Sequence, residues 1–401
     1  MKVTRCTLEL VYNDPPPQGT PAYALLELCM IAHYFLRLKA KKSRARFEAK
    51  RMINYARLLK LRMSVKARHF LHSNALLQCV VQAPWYVMYR NGSDSDLISV
   101  ISLSRESFEH LLSRFKLFYV FHSGPGMKGR PPRVKDVHCI LSLLLHSYCS
   151  PAENKTWSEM FGISPGTLIR TLVKAEIALL STLKSMTEAR VEWPSLNNQI
   201  RMGLAVEVKE PLIKGRWGFI DGKNYGVQEP KNTMIQKGMF NGWLHAVFVP
   251  GTVYFSADGL VVWAKLNFFG SWNDSEISRE FRDKLADDNR NVPGHGVLPD
   301  SAFPVSGDMF GRIMTPLKCG DLERSHPSAR PALVRLSASI TSMRQAAEWG
   351  MASVCKVYRV SYKRLSHDNN SRGRLLTILH KLHNYRVRTT GISQIRTFFN
   401  A

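Results

Sequence analysis

The sequence predicts a mixed α/β protein in which an all-helical unit precedes a sheet flanked by helices. Three observations carry this expectation. Helical periodicity dominates residues 78–198; short runs rich in Val, Ile, Phe and Trp begin after Trp193-Pro194; and the last third alternates helical with strand-like segments. A chain of 401 residues exceeds what one compact core usually organises. The expected division is an N-terminal extension, partly helical, over 1–77, a helical unit over 78–200, a sheet-containing unit over 210–390 and a tail over 391–401. With 45% hydrophobic residues, eight Trp and 19 Phe, the chain can bury a core, which excludes general disorder.

The extension is the most basic part. Residues 36–68 hold 13 Lys or Arg and one acidic residue, Glu48, about half of the net charge of +25. Met52, Tyr55, Leu59 and Met63 recur at helical spacing, so this stretch reads as an amphipathic helix with a solvated cationic face. The same cations, Lys39, Lys41, Lys42, Arg44 and Arg46, suit phosphates or nuclear import equally. The apolar stretch 22–36 carries Glu27 and His33 and is too short to cross a bilayer. Seven scattered cysteines without a Cys-x-x-Cys pair predict a reducing compartment, so a soluble intracellular protein is expected, with no membrane partner.

In the helical unit, helices are expected over 105–118, 134–149, 156–161 and 165–183. The Gly/Pro-rich segment 123–133 between the first two reads as a loop. Within it Gly129-Arg130-Pro131-Pro132-Arg133 is a basic turn, either a plain loop or an arm that puts Arg130 and Arg133 into a narrow groove of DNA. Thr156 and Glu159 suggest a capping box, Gly162 a stop, and Ser164-Pro165 a new start. In the helix that follows, Leu168, Leu172, Ala175 and Leu179 form one apolar stripe and leave Thr167, Arg170, Thr171 and Lys174 on another side. That pattern fits the recognition helix of a helix-turn-helix; it also fits a hairpin buried in a bundle.

Beyond residue 210, strands are expected over 216–220, 244–249, 253–256, 260–266 and 296–299, with a hairpin turn at Asp258-Gly259 and helices over 273–288, 335–357 and 372–385. Three carboxylates occupy distinctive contexts: Asp221 in Gly218-Phe219-Ile220-Asp221-Gly222, Asp300 in Leu298-Pro299-Asp300-Ser301, and Glu348 in Ala346-Ala347-Glu348-Trp349. The first two follow short apolar runs, where side chains emerge at a strand end. Mg²⁺ or Mn²⁺ takes such oxygen ligands, and two ions about 4 Å apart can neutralise a phosphodiester, activate water and stabilise the departing oxygen. Asp221, Asp300 and Glu348 are thus the candidate catalytic and metal residues. Asp274, just before a helix, reads first as an N-cap and second as a further ligand. A carboxylate pair acting on sugars would leave the basic arm unexplained.

The run Phe219-Ile220-Asp221-Gly222, then Gly270-Ser271-Trp272-Asn273-Asp274-Ser275, Asp300-Ser301-Ala302-Phe303-Pro304, Arg344 with Glu348, and His383-Asn384-Tyr385 resembles the DDE nuclease of Harbinger-type transposases, most of all the transposase-derived proteins of oomycete genomes. The resemblance spans roughly residues 80–390. It implies an RNase H-like domain with a mixed five-stranded sheet, a triad on Asp221, Asp300 and Glu348, divalent metal (two Mg²⁺ or Mn²⁺), and DNA cleavage with strand transfer at element ends. It also implies nuclear action, a Myb-like DNA-binding partner and homo-oligomers on DNA. Lys223 and Arg344 join the expected DNA contacts. Lys223-Asn224 stand where many relatives carry Thr-His, and Phe268-Phe269 precede Gly270 where Pro is frequent; both departures touch substrate contacts. The rival expectation is a domesticated, catalytically silent DNA-binding protein.

Overall fold

The computed structural model describes residues 17–66, 79–121, 131–242, 244–272, 274–301, 303 and 307–400. The chain divides into two compact units, Met1–Phe70 and Leu71–Ala401. In the first, the expected basic helix and the apolar stretch before it form one 46-residue helix, α1 (Pro21–Lys66), about 69 Å long at 1.5 Å per residue. Nearly all its described side chains are exposed. No helix among the described residues is long and apolar enough to cross a membrane.

Among the described residues the second unit opens with seven α-helices: α2 (Pro84–Asn91), α3 (Asp94–Ile101), α4 (Arg105–Phe118), α5 (Val137–Cys149), α6 (Asn154–Phe161), α7 (Pro165–Ser185) and α8 (Leu196–Lys209). Sequence periodicity missed α2, α3 and α8, the first two being eight-residue helices. A capping box does start α3, where the Ser93 amide donates to the Asp96 carboxylate at 2.8 Å and the Asp96 amide to Ser93 Oγ at 3.3 Å. The box expected at Thr156 and Glu159 is corrected: α6 begins two residues earlier behind Glu153, which makes no side-chain cap, and the Trp157 amide closes its first turn on the Glu153 carbonyl at 3.2 Å. Gly162 ends α6 with φ of 65°, and Pro165 opens α7. Leu168, Ala175 and Leu179 are buried as the stripe predicts.

The sheet region comprises β1 (Arg216–Gly226), α9 (Thr233–Met239), β2 (Phe240–Asn241), β3 (Ala246–Ser256), β4 (Val261–Lys265), α10 (Asp274–Ile277), α11 (Arg279–Ala286), β5 (Gly296–Leu298), α12 (Arg330–Cys355), α13 (Asn369–Thr389) and α14 (Gln394–Asn400). The sheet is mixed. β1 runs antiparallel to β3 and parallel to β5, while β2 and β4 share the other side of β3. Three sequence expectations change. The two strands at 244–249 and 253–256 are one, because Pro250 and Gly251 stay in register opposite Asn224 and Lys223. The helix expected at 273–288 breaks at Ser278, whose ψ of 3° leaves the helical region. Asp221 does not end its strand, which continues five residues to Gly226.

The first half of β1 is buried without interruption, as a strand covered on both faces requires. On one side Trp217, Tyr254, Phe281 and Trp193 pack ring against ring. On the other, α12 lies close because Ala346, Ala347 and Gly350 are small; a Cβ on Gly350 would come within 2.7 Å of the Phe255 ring. Buried polar groups then lock α13 in place. Asn384 accepts from the Val261 amide at 2.8 Å and donates to the Val261 carbonyl at 2.7 Å, His383 Nε2 meets the Gly259 carbonyl at 3.0 Å, and the Tyr385 hydroxyl donates to the Ser107 carbonyl at 2.6 Å. One hydrophobic cluster runs from the α2–α7 helices through the sheet to α13.

Two outcomes follow from this packing. A Cβ on Gly296 would lie 1.7 Å from the Arg312 carbonyl oxygen, so Gly296→Ala should lower unfolding stability by about 3 kcal/mol, read from the urea midpoint. Burial also pushes His380 down to about 4 and His383 to about 3. The unfolded chain, with ordinary imidazoles, therefore binds more protons below pH 6.5, and stability is lost as pH falls from there towards 4. The slope approaches about 2.7 kcal/mol per pH unit for the pair and should shrink by about half in His380→Gln, followed by melting temperature against pH.

Candidate active site

β1 and β5 are parallel with Phe219 opposite Leu298. Two residues further along each chain stand Asp221 and Asp300, so the ladder places them at equivalent positions on neighbouring segments, whose spacing in a sheet is about 4.8 Å. On this flank the β1–β5 pairing has ended, whereas on the other Asp221 is still paired with Val253. Asp221 is thus mid-strand towards β3 and at a sheet edge towards Asp300. Glu348 comes from α12, one residue beyond the Ala346-Ala347 face that packs on β1, and its side chain is exposed.

Electrostatics tie the three together across 127 residues of sequence. Asp221 is pushed up to about 6, chiefly by burial, and the charges of Asp300 and Glu348 push in the same direction. Arg344 and the Gly222 amide oppose them; the amide donates to Asp221 Oδ1 at 2.9 Å. Arg344 sits one turn before Glu348 on α12 and its guanidinium reaches the Glu348 carboxylate at 3.3 Å. It therefore serves the carboxylate group as a local countercharge, a role sequence reasoning had given only as a DNA contact. Lys223 extends over the exposed Tyr362 ring, 5.9 Å from its centre. Nothing in the sequence signalled Tyr362, which lies in a short turn far along the chain.

Burial raises Asp221 most, the charges of Asp300 and Glu348 add to it, and Arg344 opposes them; oxygen ligands of this kind suit a hard divalent cation. The residues fit such an ion. Asp274 heads α10, and its side chain lies outside the described residues. Among the described residues, the one group of three potential ligands that draws within 4.8 Å is different: Asp136, His138 and Cys139 at the start of α5. There burial pushes the Cys139 thiol up to about 12 and lowers His138, whose ring stacks on Tyr89 at 4.1 Å. The carboxylate oxygens of Asp221, Asp300 and Glu348 do not all draw within 4.8 Å of one another.

The residues expected to touch DNA separate into two places. Arg133, Thr167, Arg170, Thr171 and Lys174 line one groove of about 560 Å³ beside α7, together with Tyr119, Phe121 and Pro132. Thr171 Oγ1 and Arg170 Nε bond carbonyls of their own helix, Thr167 and Gly166, at 2.8 and 3.0 Å. Arg130 lies outside the described residues. Lys223 and Arg344 stand instead with the carboxylates.

Residues 220–384 match the family model described as DDE superfamily endonuclease. No curated protein and no solved structure matches the chain. The matched segment starts one residue before Asp221, ends on Asn384 and encloses Asp300, Arg344 and Glu348. Similarity to an endonuclease suggests a DNA substrate, and proteins of that superfamily usually use a divalent metal. Mg²⁺ or Mn²⁺ should accordingly raise the melting temperature of the chain with increasing concentration, and Asp221→Asn should abolish most of that rise, read by differential scanning fluorimetry.

Proposed function

We propose that this protein is a metal-dependent DNA endonuclease of the DDE type, derived from a Harbinger-type transposase, that cuts and joins strands at element ends in the nucleus. The observation that carries the reading is that Asp300 and Glu348 each add to the raised pKa of Asp221, although the three come from β1, the segment after β5 and α12. The net charge of +25 supports a polyanionic substrate.

In this mechanism Asp221, Asp300 and Glu348 would hold divalent metal; when bound, it would supply charge neutralisation at the scissile phosphate and a water of lowered pKa. Because burial pushes Asp221 up to about 6, a cation held there would compete with its proton, and ion binding would strengthen as pH rises through that value. Arg344 orients Glu348 and presents guanidinium hydrogens to phosphate oxygens. Lys223, steadied on Tyr362, faces the flanking backbone as a point charge. Further along the duplex, α7 acts as the recognition helix of a helix-turn-helix, with Arg133, Arg170 and Lys174 on phosphates and Thr167 and Thr171 at base edges. The basic stretch of α1 serves nuclear import, and a Myb-like protein and further copies of the chain join the complex on DNA.

The purified chain should nick or cleave DNA in Mg²⁺ or Mn²⁺, with activity down at least roughly 10³-fold in Asp300→Ala. Absence of cleavage with either metal, while Asp221→Ala leaves DNA binding intact, would instead mark a domesticated binder. Arg170→Ala and Lys174→Ala should each lower the slope of log affinity against log salt by about 1, measured by fluorescence anisotropy.

A further inference from the structure

The α1 helix exposes far more apolar surface than an isolated helix sustains. Leu28, Ile31, Phe35, Met52 and Met63 are each more than half exposed. Of the 16 large apolar side chains that α1 exposes, seven, these five with Leu38 and Leu59, share one row, and the others lie off it. That row is one alternating three- and four-residue repeat, Ala24, Leu28, Ile31, Phe35, Leu38, Lys42, Ala45, Ala49, Met52, Ala56, Leu59 and Met63, in which 11 of 12 positions are apolar. Of the 11 charged residues between 39 and 63, ten lie off this seam. A seam of that period is the face one helix presents to another in a coiled coil.

We infer that α1 is a dimerisation helix whose occupant is α1 of a second copy of this chain, running antiparallel. Charge and size decide the direction. With copies antiparallel and centred near residues 43 and 44, the seam layers are Leu28 on Leu59, Phe35 on Met52, Lys42 on Ala45, Leu38 on Ala49, Ile31 on Ala56 and Ala24 on Met63. Large residues meet small ones in four of the six layers, so the helices can approach closely. One flanking row then sets Glu27 against Arg62, Lys41 against Glu48 and Tyr34 against Tyr55, each pair occurring twice by symmetry. The other row places Lys39 near Arg46, its one like-charged pair.

A parallel pairing does worse on every count. It puts Lys42 against its own copy inside the seam and Lys41 against Arg46 on the flank, and it brings no opposite charges together. In either arrangement Arg37, Arg44, Lys50, Arg51 and Arg57 stay on the outer face, where their charge remains solvated. In the single helix the Glu48 carboxylate is held at 3.6 Å by Arg44, one turn earlier, which keeps it on the helix surface. This inference concerns association alone and does not rest on the nuclease reading.

Sedimentation equilibrium of the full chain, freed of nucleic acid, tests it. The expected result is a dimer that Leu59→Asp converts to monomer with unchanged far-UV helicity in the rest of the chain. Lys41→Glu and Glu48→Lys should each weaken association roughly three- to tenfold at low salt, and the double swap should restore it. A monomer at tens of micromolar would overturn the inference, as would a dimer indifferent to Leu59→Asp. Strengthening by Lys41→Glu would also overturn it, since a glutamate there attracts Arg46 only in the parallel pairing. Association that appears only with added nucleic acid counts against it equally.

Discussion

Like charges brought together repel, and this chain holds three carboxylates where their fields overlap at a half-buried aspartate. Burial raises the Asp221 carboxyl most, and the two neighbouring charges add to it. β1 is buried on both faces up to Ile220, β5 is a three-residue strand fixed in parallel register beside it, and α12 is drawn onto the sheet by two alanines and a glycine. None of these elements can yield to separate the charges without opening the core. The Arg344 guanidinium and the Gly222 amide oppose the rise at Asp221.

Most of the architecture was legible where residues speak for themselves locally. α4 matched its expected limits, Gly162 and Pro165 punctuated the α6–α7 pair as their backbone preferences dictate, and the Asp258-Gly259 turn joins β3 to β4. What failed was set by distant partners. Pro250 reads as a break in β3, yet the ladder with β1 carries through it; Asp221 reads as a strand end, yet only the β5 flank has ended there. The short helices α2 and α3 have too few turns for periodicity to accumulate.

The candidate site shows the same division. Asp221 and Asp300 were singled out by the apolar runs before them, yet only Asp300 lies past the end of its strand, while Asp221 stands mid-strand in β1. Glu348 was named from its helical context, which gives a face and not the sheet that it meets. Arg344 lay one turn away in plain sight, but its pairing with Glu348 depends on side-chain direction along α12. Tyr362 beneath Lys223 carried no signal at all, for nothing near residue 362 refers to β1. His383, Asn384 and Tyr385, recognised as a motif, prove to be joints: each bonds a backbone group of a different segment.

Asn384 deserves a last consequence. Its amide takes both the N–H and the C=O that Val261 turns outward from β4, leaving that rim of the sheet with its hydrogen-bonding capacity already spent at that residue. Val261 and Asn384 are themselves fully buried, so that rim is closed by a helix side chain where a further strand would otherwise pair.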